Sequence, residues 1–260
     1  MPDYPKSKQN LMKKEAKKKA IEHIGLGIAK IVNNYSEYAL LINACDLAAK
    51  RYADKKDTSH LSTTQNIPYE LRLDNEIEVR YSNENLVKTY KEEVLNKVLE
   101  NYLIASISVV DGILEDLYEI LLKYNEPELS DEDIGRRVNS SWRNDSLLNY
   151  LIHPDGANLK EPKGFNMKYR ETFLRYYELR IIRHAIIHTS SVITETDYSR
   201  LEKFAEETVD ERKNIALVNS PLINKNKKIN LSINSILSIR QYLDRFLMYF
   251  YKSVAQEEEE

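Results

Sequence analysis

The sequence predicts an all-α protein. Glycine and proline are scarce, six and seven in 260 residues, which leaves little material for a turn-rich β fold. Long stretches are rich in lysine, glutamate, leucine and isoleucine, a composition that favours helices. Apolar residues in the longest stretches recur at helical spacing rather than in alternation. The length suits one large domain, or a domain with an extension, and is enough to bury a sizeable core.

Hydrophobic residues make up 42% of the chain and charged residues 30%, the ordinary balance of a globular protein. A net charge of -3 means that any nucleic-acid surface must be local. Cys45 is the only cysteine, which excludes an intramolecular disulfide and a cysteine-based zinc site. The opening "MPDYPKSKQNLMKKEAKKK" has no apolar core after its charges, unlike a signal peptide. No apolar run approaches the roughly 20 residues of a membrane span. The expected setting is cytoplasmic and reducing.

Residues 6–33 read as a helix that begins strongly basic, with Lys13, Lys14, Lys17, Lys18 and Lys19. The bland reading is a solvated face; the functional one is an RNA or phosphate contact. Residues 36–54 read as a second helix and 58–69 as a loop. "YELRLDNEIEVRY" alternates around Asp74-Asn75, as a small β-hairpin near 68–81 or an extended linker would. A long helix is expected from Asn83 to Lys123, and its second half, "NYLIASISVVDGILEDLYEILL", is apolar on most faces and belongs in the core.

"NEPELSDED" breaks that helix, and Ser130 followed by Glu132 and Asp133 marks a new helix start. Residues 134–164 mix a short helix with a loop, and a long helix follows over about 165–187. "SSVITETDYSRLEKFAEE" reads as a turn and a short helix. Beyond "NKNKK", "INLSINSILSIRQYLDRFLMYFYKSV" is strongly amphipathic, and "QEEEE" is a solvated tail. The expected organisation is a mainly helical extension over 1–82, a helical domain over 83–256 and an acidic tail over 257–260.

The 165–187 helix concentrates the chemistry. It carries Lys168, Arg170, Arg175, Arg180 and Arg183 against Glu171 and Glu178, interleaved with Phe173, Tyr176 and Tyr177. Basic and aromatic groups together can hold phosphates and stack on unpaired bases, which makes Lys168, Arg175 and Tyr177 candidate RNA contacts. Aromatics at this spacing equally read as core. The helix ends in "RIIRHAIIH", residues 180–188, where positions 180, 184 and 188 share a face. Arg183 lies about 140° around from His188 and about 7.5 Å along the axis. The two converge only if the arginine wraps, the helix ends near His188, or a second copy packed about a two-fold axis supplies the missing group.

A histidine can take a proton from a ribose 2′-hydroxyl or return one to the leaving 5′-oxygen. Arginine cannot act as a base, but its planar fork holds phosphate and developing negative charge. Arg183 and His188 together would suffice for metal-independent RNA cleavage that leaves a 2′,3′-cyclic phosphate. The plainer reading is a stabilising histidine at a helix C-terminus beside solvated arginines. A zinc reading of "HAIIH" lacks the glutamate of an H-E-x-x-H helix, since Ala185 stands in its place. "GLGIAK" at 25–30 has no third glycine or preceding strand and is no dinucleotide loop. Trp142, the only tryptophan, reads as a packing residue before a base-stacking platform.

"RHAIIH" resembles the signature of HEPN domains (higher eukaryotes and prokaryotes nucleotide-binding): an arginine, a polar residue, three more residues, then histidine. Arg183 and His188 take the arginine and histidine slots. His184 takes the polar slot, where asparagine is most usual. The motif closes a long helix after "YYELRI", and "LIASISVVDGILEDLYEILL" resembles the first core helix of these domains. The resemblance covers about residues 90–256.

It implies a dimeric all-α bundle with the motif in a shared cleft. It also implies ribonuclease activity in toxin–antitoxin, abortive-infection or other antiphage systems, with RNA such as tRNA as substrate and no cofactor. Some members are silent binding or scaffold modules, so a non-catalytic module binding RNA, nucleotide or a partner protein is the alternative, as is an antitoxin-like regulatory subunit. Asp111 and Glu115 sit one turn apart on the apolar helix, where paired carboxylates need cationic partners to be buried. Arg180 or Arg183 would be those partners, with one carboxylate orienting a site arginine or histidine; otherwise both carboxylates face solvent.

Overall fold

A computed structural model describes residues 6–54, 61–62, 68–72, 79–208 and 216–256. The fold is all-α. Helix α1 (Lys6–Ala53) is assigned as one continuous 48-residue helix rather than the two helices expected over 6–33 and 36–54. The intervening "NNYS" contains neither proline nor glycine, so nothing interrupts the backbone ladder. No helix among the described residues is long and apolar enough to cross a membrane.

The chain divides into two compact units, one formed by residues 1–34 with 103–260 and the other by residues 35–102. The boundary expected between 82 and 83 falls within the second unit.

In the smaller unit, Tyr102 is fully buried and meets Tyr35 and Tyr38 edge-on, with centroids 6.0 and 5.4 Å away. Strands β1 (Leu61–Ser62) and β2 (Arg80–Tyr81) pair antiparallel over two residues each. This corrects the expected hairpin. Tyr69–Leu71 forms a single 3-10 turn after Pro68, and Arg80–Tyr81 pairs instead with residues from the stretch read as loop. The expected turn at Asp74-Asn75 lies outside the described residues. Ser82, whose hydroxyl accepts from the Asn85 N–H, starts α2 (Asn83–Lys88), which runs through a π-helical turn (Thr89–Val94) into α3 (Leu95–Asn125).

In the larger unit α3 and α1 pack closely. A Cβ at Gly27 would collide with the Ile113 side chain, so the second glycine of "GLGIAK" serves helix contact. His23 Nε2 lies 2.9 Å from Asp116, and Asn34 donates to Ser106 at 2.8 Å along the same seam. Helix α4 (Asp131–Asn139) starts where the sequence placed it, with the Ser130 hydroxyl accepting from the Asp133 N–H. Then come α5 (Ser146–Ile152), α6 (Tyr169–His188), α7 (Glu195–Glu206) and α8 (Ile233–Gln256).

Helix α6 is buried along most of its length. Its seam with α8 is aromatic: Phe173 meets Phe246 and Phe250, and Tyr176 stacks on Phe246 at 4.6 Å. Such pairs contribute about 0.5–1.5 kcal/mol each beyond their buried area. On its other side Tyr176 donates to Asp111 of α3 at 2.7 Å. These contacts fix both the rotation and the axial position of the helix that carries "RIIRHAIIH".

Candidate functional site

Helix α6 ends at His188 for a local reason. The N–H groups of Thr189 and Ser191 both donate to the Ala185 carbonyl at 3.0 Å, and Ser190 and Ser191 take left-handed φ values of 52° and 65°. That conformation closes helices and usually calls for glycine. His188 therefore stands exposed at the C-terminal end of the helix. Its ring packs on that of His184, one turn earlier, with centroids 4.6 Å apart.

Arg183 turns the other way. It is half-buried, and its Nη1 lies 3.9 Å from Asp111 Oδ2, too far for a hydrogen bond. Its Nε has no hydrogen-bond partner among the described residues. Arg180 is held more firmly, with Nε 3.0 Å from Asp111 Oδ1 and its guanidinium carbon 3.8 Å from the centroid of Trp142. Trp142 in turn donates its indole N–H to Glu115 at 2.6 Å. Neither carboxylate simply faces solvent: Asp111 is buried between Tyr176 and the two arginines, and Glu115 is half-buried under Trp142. Burial pushes the Asp111 carboxyl above the usual carboxylate range, opposed by Arg180, by the Tyr176 hydrogen bond and by Arg183.

Of these groups, Arg180, Arg183, His184 and Trp142 line a cleft of about 550 Å³. Arg180, Arg183 and His184 come from α6, Arg200 and Phe204 from α7, and Trp142 and Asp145 from the turns before α5. Asn144 and Asp145 both take left-handed φ, 52° and 56°, which aims the chain at the cleft. The arginine-rich wall is partly balanced. Arg200 pairs with Asp197 at 3.3 Å, and Arg170 holds Asp145 and Glu207. Arg183 is thus the cleft guanidinium with the longest ion-pair contact.

The structure gathers some of the expected site residues and disperses others. Arg180, Arg183, His184 and Tyr177 line the cleft, with Asp111 and Glu115 behind it. His188 is not among the lining residues, although it shares a helix face with Arg180 and His184: it lies one turn further along, as the last residue of α6. Arg175 is no exposed RNA contact: it is buried, paired with Glu178 at 2.9 Å and bonded to Thr208, because its position on α6 faces inward. Lys168 is exposed but precedes the first residue of α6, about 30 Å along a 20-residue helix from His188. The Tyr177 ring is buried and only edges the cleft, and burial raises its hydroxyl pKa.

Sequence reasoning missed Asp145, Arg200 and Phe204; it read Trp142 as packing, and the ring does pack against Tyr176 and Tyr177, with centroids 5.8 and 6.4 Å away, while also lining the cleft. The lone tryptophan in "SSWRND" was the available signal. Arg200 and Phe204 carry none, since they meet α6 only through the fold. Among the described residues no three His, Cys, Asp or Glu side chains are grouped to hold a metal ion. No family model matches the chain, and no curated protein or solved structure matches it.

Proposed function

We propose that the chain is a metal-independent endoribonuclease of the HEPN type, acting as a homodimer in a bacterial toxin or antiphage system. The observation that carries this reading is the cleft: two arginines and a histidine of the "RHAIIH" helix face the same space as Trp142 and Phe204. Guanidinium groups beside aromatic rings suit a phosphate flanked by unstacked bases.

In the proposed reaction, His188 removes the 2′-hydroxyl proton and the 2′-oxygen attacks phosphorus. The bond to the 5′-oxygen breaks, and the imidazolium of a His188 returns a proton to that oxygen. Arg183 holds the charged phosphoryl oxygens. The products are a 2′,3′-cyclic phosphate and a 5′-hydroxyl. Arg183 and His188 diverge on one helix, so the partner's His188 completes the site at the Arg183 cleft.

The test is cleavage of total tRNA in EDTA by wild type, Arg183→Ala and His188→Ala. Wild type should cut and leave cyclic phosphate ends, while each variant falls by a factor on the order of 100 or more. Mixing the two inactive variants should restore about a quarter of wild-type activity, because half the dimers carry one site with both groups intact. Full activity in either single variant would sink the proposal.

The exposed placement of His188 outside the cleft favours one other reading, a silent module that binds RNA or a partner without cutting. It predicts binding to tRNA that needs Arg183 and leaves every strand whole.

A further inference from the structure

Within the smaller unit, helix α1 has two apolar faces. The first is used in packing: Cys45 and Ala49 are buried, Tyr35 and Tyr38 meet Tyr102, and Tyr52 stacks on Tyr90 with centroids 6.0 Å apart. The second faces solvent. Leu40, Leu41 and Leu47 are 71%, 49% and 58% exposed, and Ala44 among them is exposed as well. Single exposed leucines are ordinary, but a contiguous group on one helix face marks a contact surface.

The spacing is regular. Glu37, Leu40, Ala44, Leu47 and Arg51 follow one another at intervals of three and four residues, with Leu41 and Ala48 along one edge. At about 100° per residue they share an arc of about 120° and run about 21 Å along the axis. Asn43, Asp46 and Lys50 lie outside that arc, and the last two pair with each other at 2.6 Å. Alternation of three and four is the spacing of a helix that packs lengthwise on another helix.

The charges select the partner. Ala44 is the midpoint of the stretch, seven residues from Glu37 and seven from Arg51. Both end residues are exposed, and neither pairs with an opposite charge among the described residues. A second copy laid antiparallel, with a two-fold axis at Ala44, sets Glu37 beside Arg51 of the other copy at both ends. The same register sets Leu41 against Leu47 and Leu40 against Ala48, and alanine at the axis lets the two helices approach closely. A parallel copy would instead set Glu37 on Glu37 and Arg51 on Arg51. A lipid surface fits poorly, because Glu37 and Asp46 stand where a membrane-surface helix carries lysine and arginine.

We propose that Leu40, Leu41, Ala44 and Leu47 of α1 form a two-fold, antiparallel contact with a second copy of this chain, closed at each end by a Glu37–Arg51 pair. This contact is separate from the α6 pairing invoked for RNA cleavage and requires neither Arg183 nor His188.

The experiment is mild oxidative cross-linking of the full chain carrying Cys45→Ala and Ala44→Cys, so that position 44 holds the only thiol. Most molecules should join into a covalent two-chain product, since the two thiols meet at the axis. Adding Leu41→Lys and Leu47→Lys should slow cross-linking by about tenfold or more. Adding Glu37→Arg alone should slow it by about fivefold. Combining Glu37→Arg with Arg51→Glu should restore it, which a variant that merely failed to fold could not do. No product from the Ala44→Cys chain overturns the proposal: fast maleimide labelling of its thiol then shows an open face, and slow labelling shows a face covered by other residues of the chain. A product that ignores the leucine substitutions, or that the charge exchange fails to restore, overturns it as well. None of these outcomes depends on RNA cleavage.

Discussion

Trp142 donates its indole N–H to Glu115 at 2.6 Å, and the ring so fixed is the one that Arg180 covers. A residue from the turn after α4 thus connects the carboxylate of α3 to an arginine of α6. Arg180 is positioned from two sides, by Asp111 at its Nε and by Trp142 beneath its plane.

A cation over a tryptophan face contributes about 0.5–2 kcal/mol. Trp142→Ala should therefore weaken tRNA binding by about threefold to thirtyfold, with the circular dichroism of the folded chain preserved. Trp142→Phe keeps a ring but loses the bond to Glu115, and should fall between the two. Filter binding at fixed salt reads the difference, and wild-type affinity in Trp142→Ala would exclude a role for this ring in holding Arg180.

Asp111 should prove both structural and positioning. Its Oδ1 accepts from Tyr176, a fully buried tyrosine, and its two oxygens face Arg180 and Arg183. Asp111→Ala leaves a buried hydroxyl and two guanidinium groups without that acceptor, and should cost about 1–3 kcal/mol in urea denaturation. Asp111→Asn retains an acceptor and should recover part of that stability. If Asp111 also orients Arg183, Asp111→Asn lowers cleavage more than it lowers stability. Parallel recovery of both quantities would make it a purely structural residue.

Glu178 should give stability a distinct pH dependence. Burial pushes its carboxyl up to about 7, opposed by Arg175 and the Leu217 N–H. Its ordinary value is near 4.5, so between roughly pH 4.5 and 7 the folded chain holds a proton that the unfolded chain has released. This group's contribution to stability is full below about 4.5 and is lost as pH rises through 7, by about 3 kcal/mol across the window. Chemical denaturation of wild type and Glu178→Gln at intervals from pH 4.5 to 7.5 checks it. Wild type should lose stability relative to the variant as pH rises, and parallel profiles would show that Glu178 is ionised throughout.

Much of the helical layout was legible because helices are encoded locally. Ser130 was read as a helix start from its neighbours alone, and its hydroxyl does cap α4. The apolar half of α3 was read as core, and Leu103, Ile107, Val110 and Leu114 are fully buried. The hairpin was misread because strand pairing is not local: alternation in "YELRLDNEIEVRY" cannot show that Arg80–Tyr81 pairs with Leu61–Ser62.

By itself the sequence determined the helical class, the position of "RHAIIH" at the end of a helix, and the angular divergence of Arg183 from His188. All three follow from residue spacing and the 3.6-residue turn. Only the tertiary structure decided which charges are available. Arg175 and Arg183 lie two turns apart on α6, yet one is sealed against Glu178 and Thr208 while the other faces an open cleft. The physical reason is that packing against α3, α7 and α8 sets the rotation of α6. Burial then makes one arginine an internal ion-pair partner and leaves the other half-buried at the cleft.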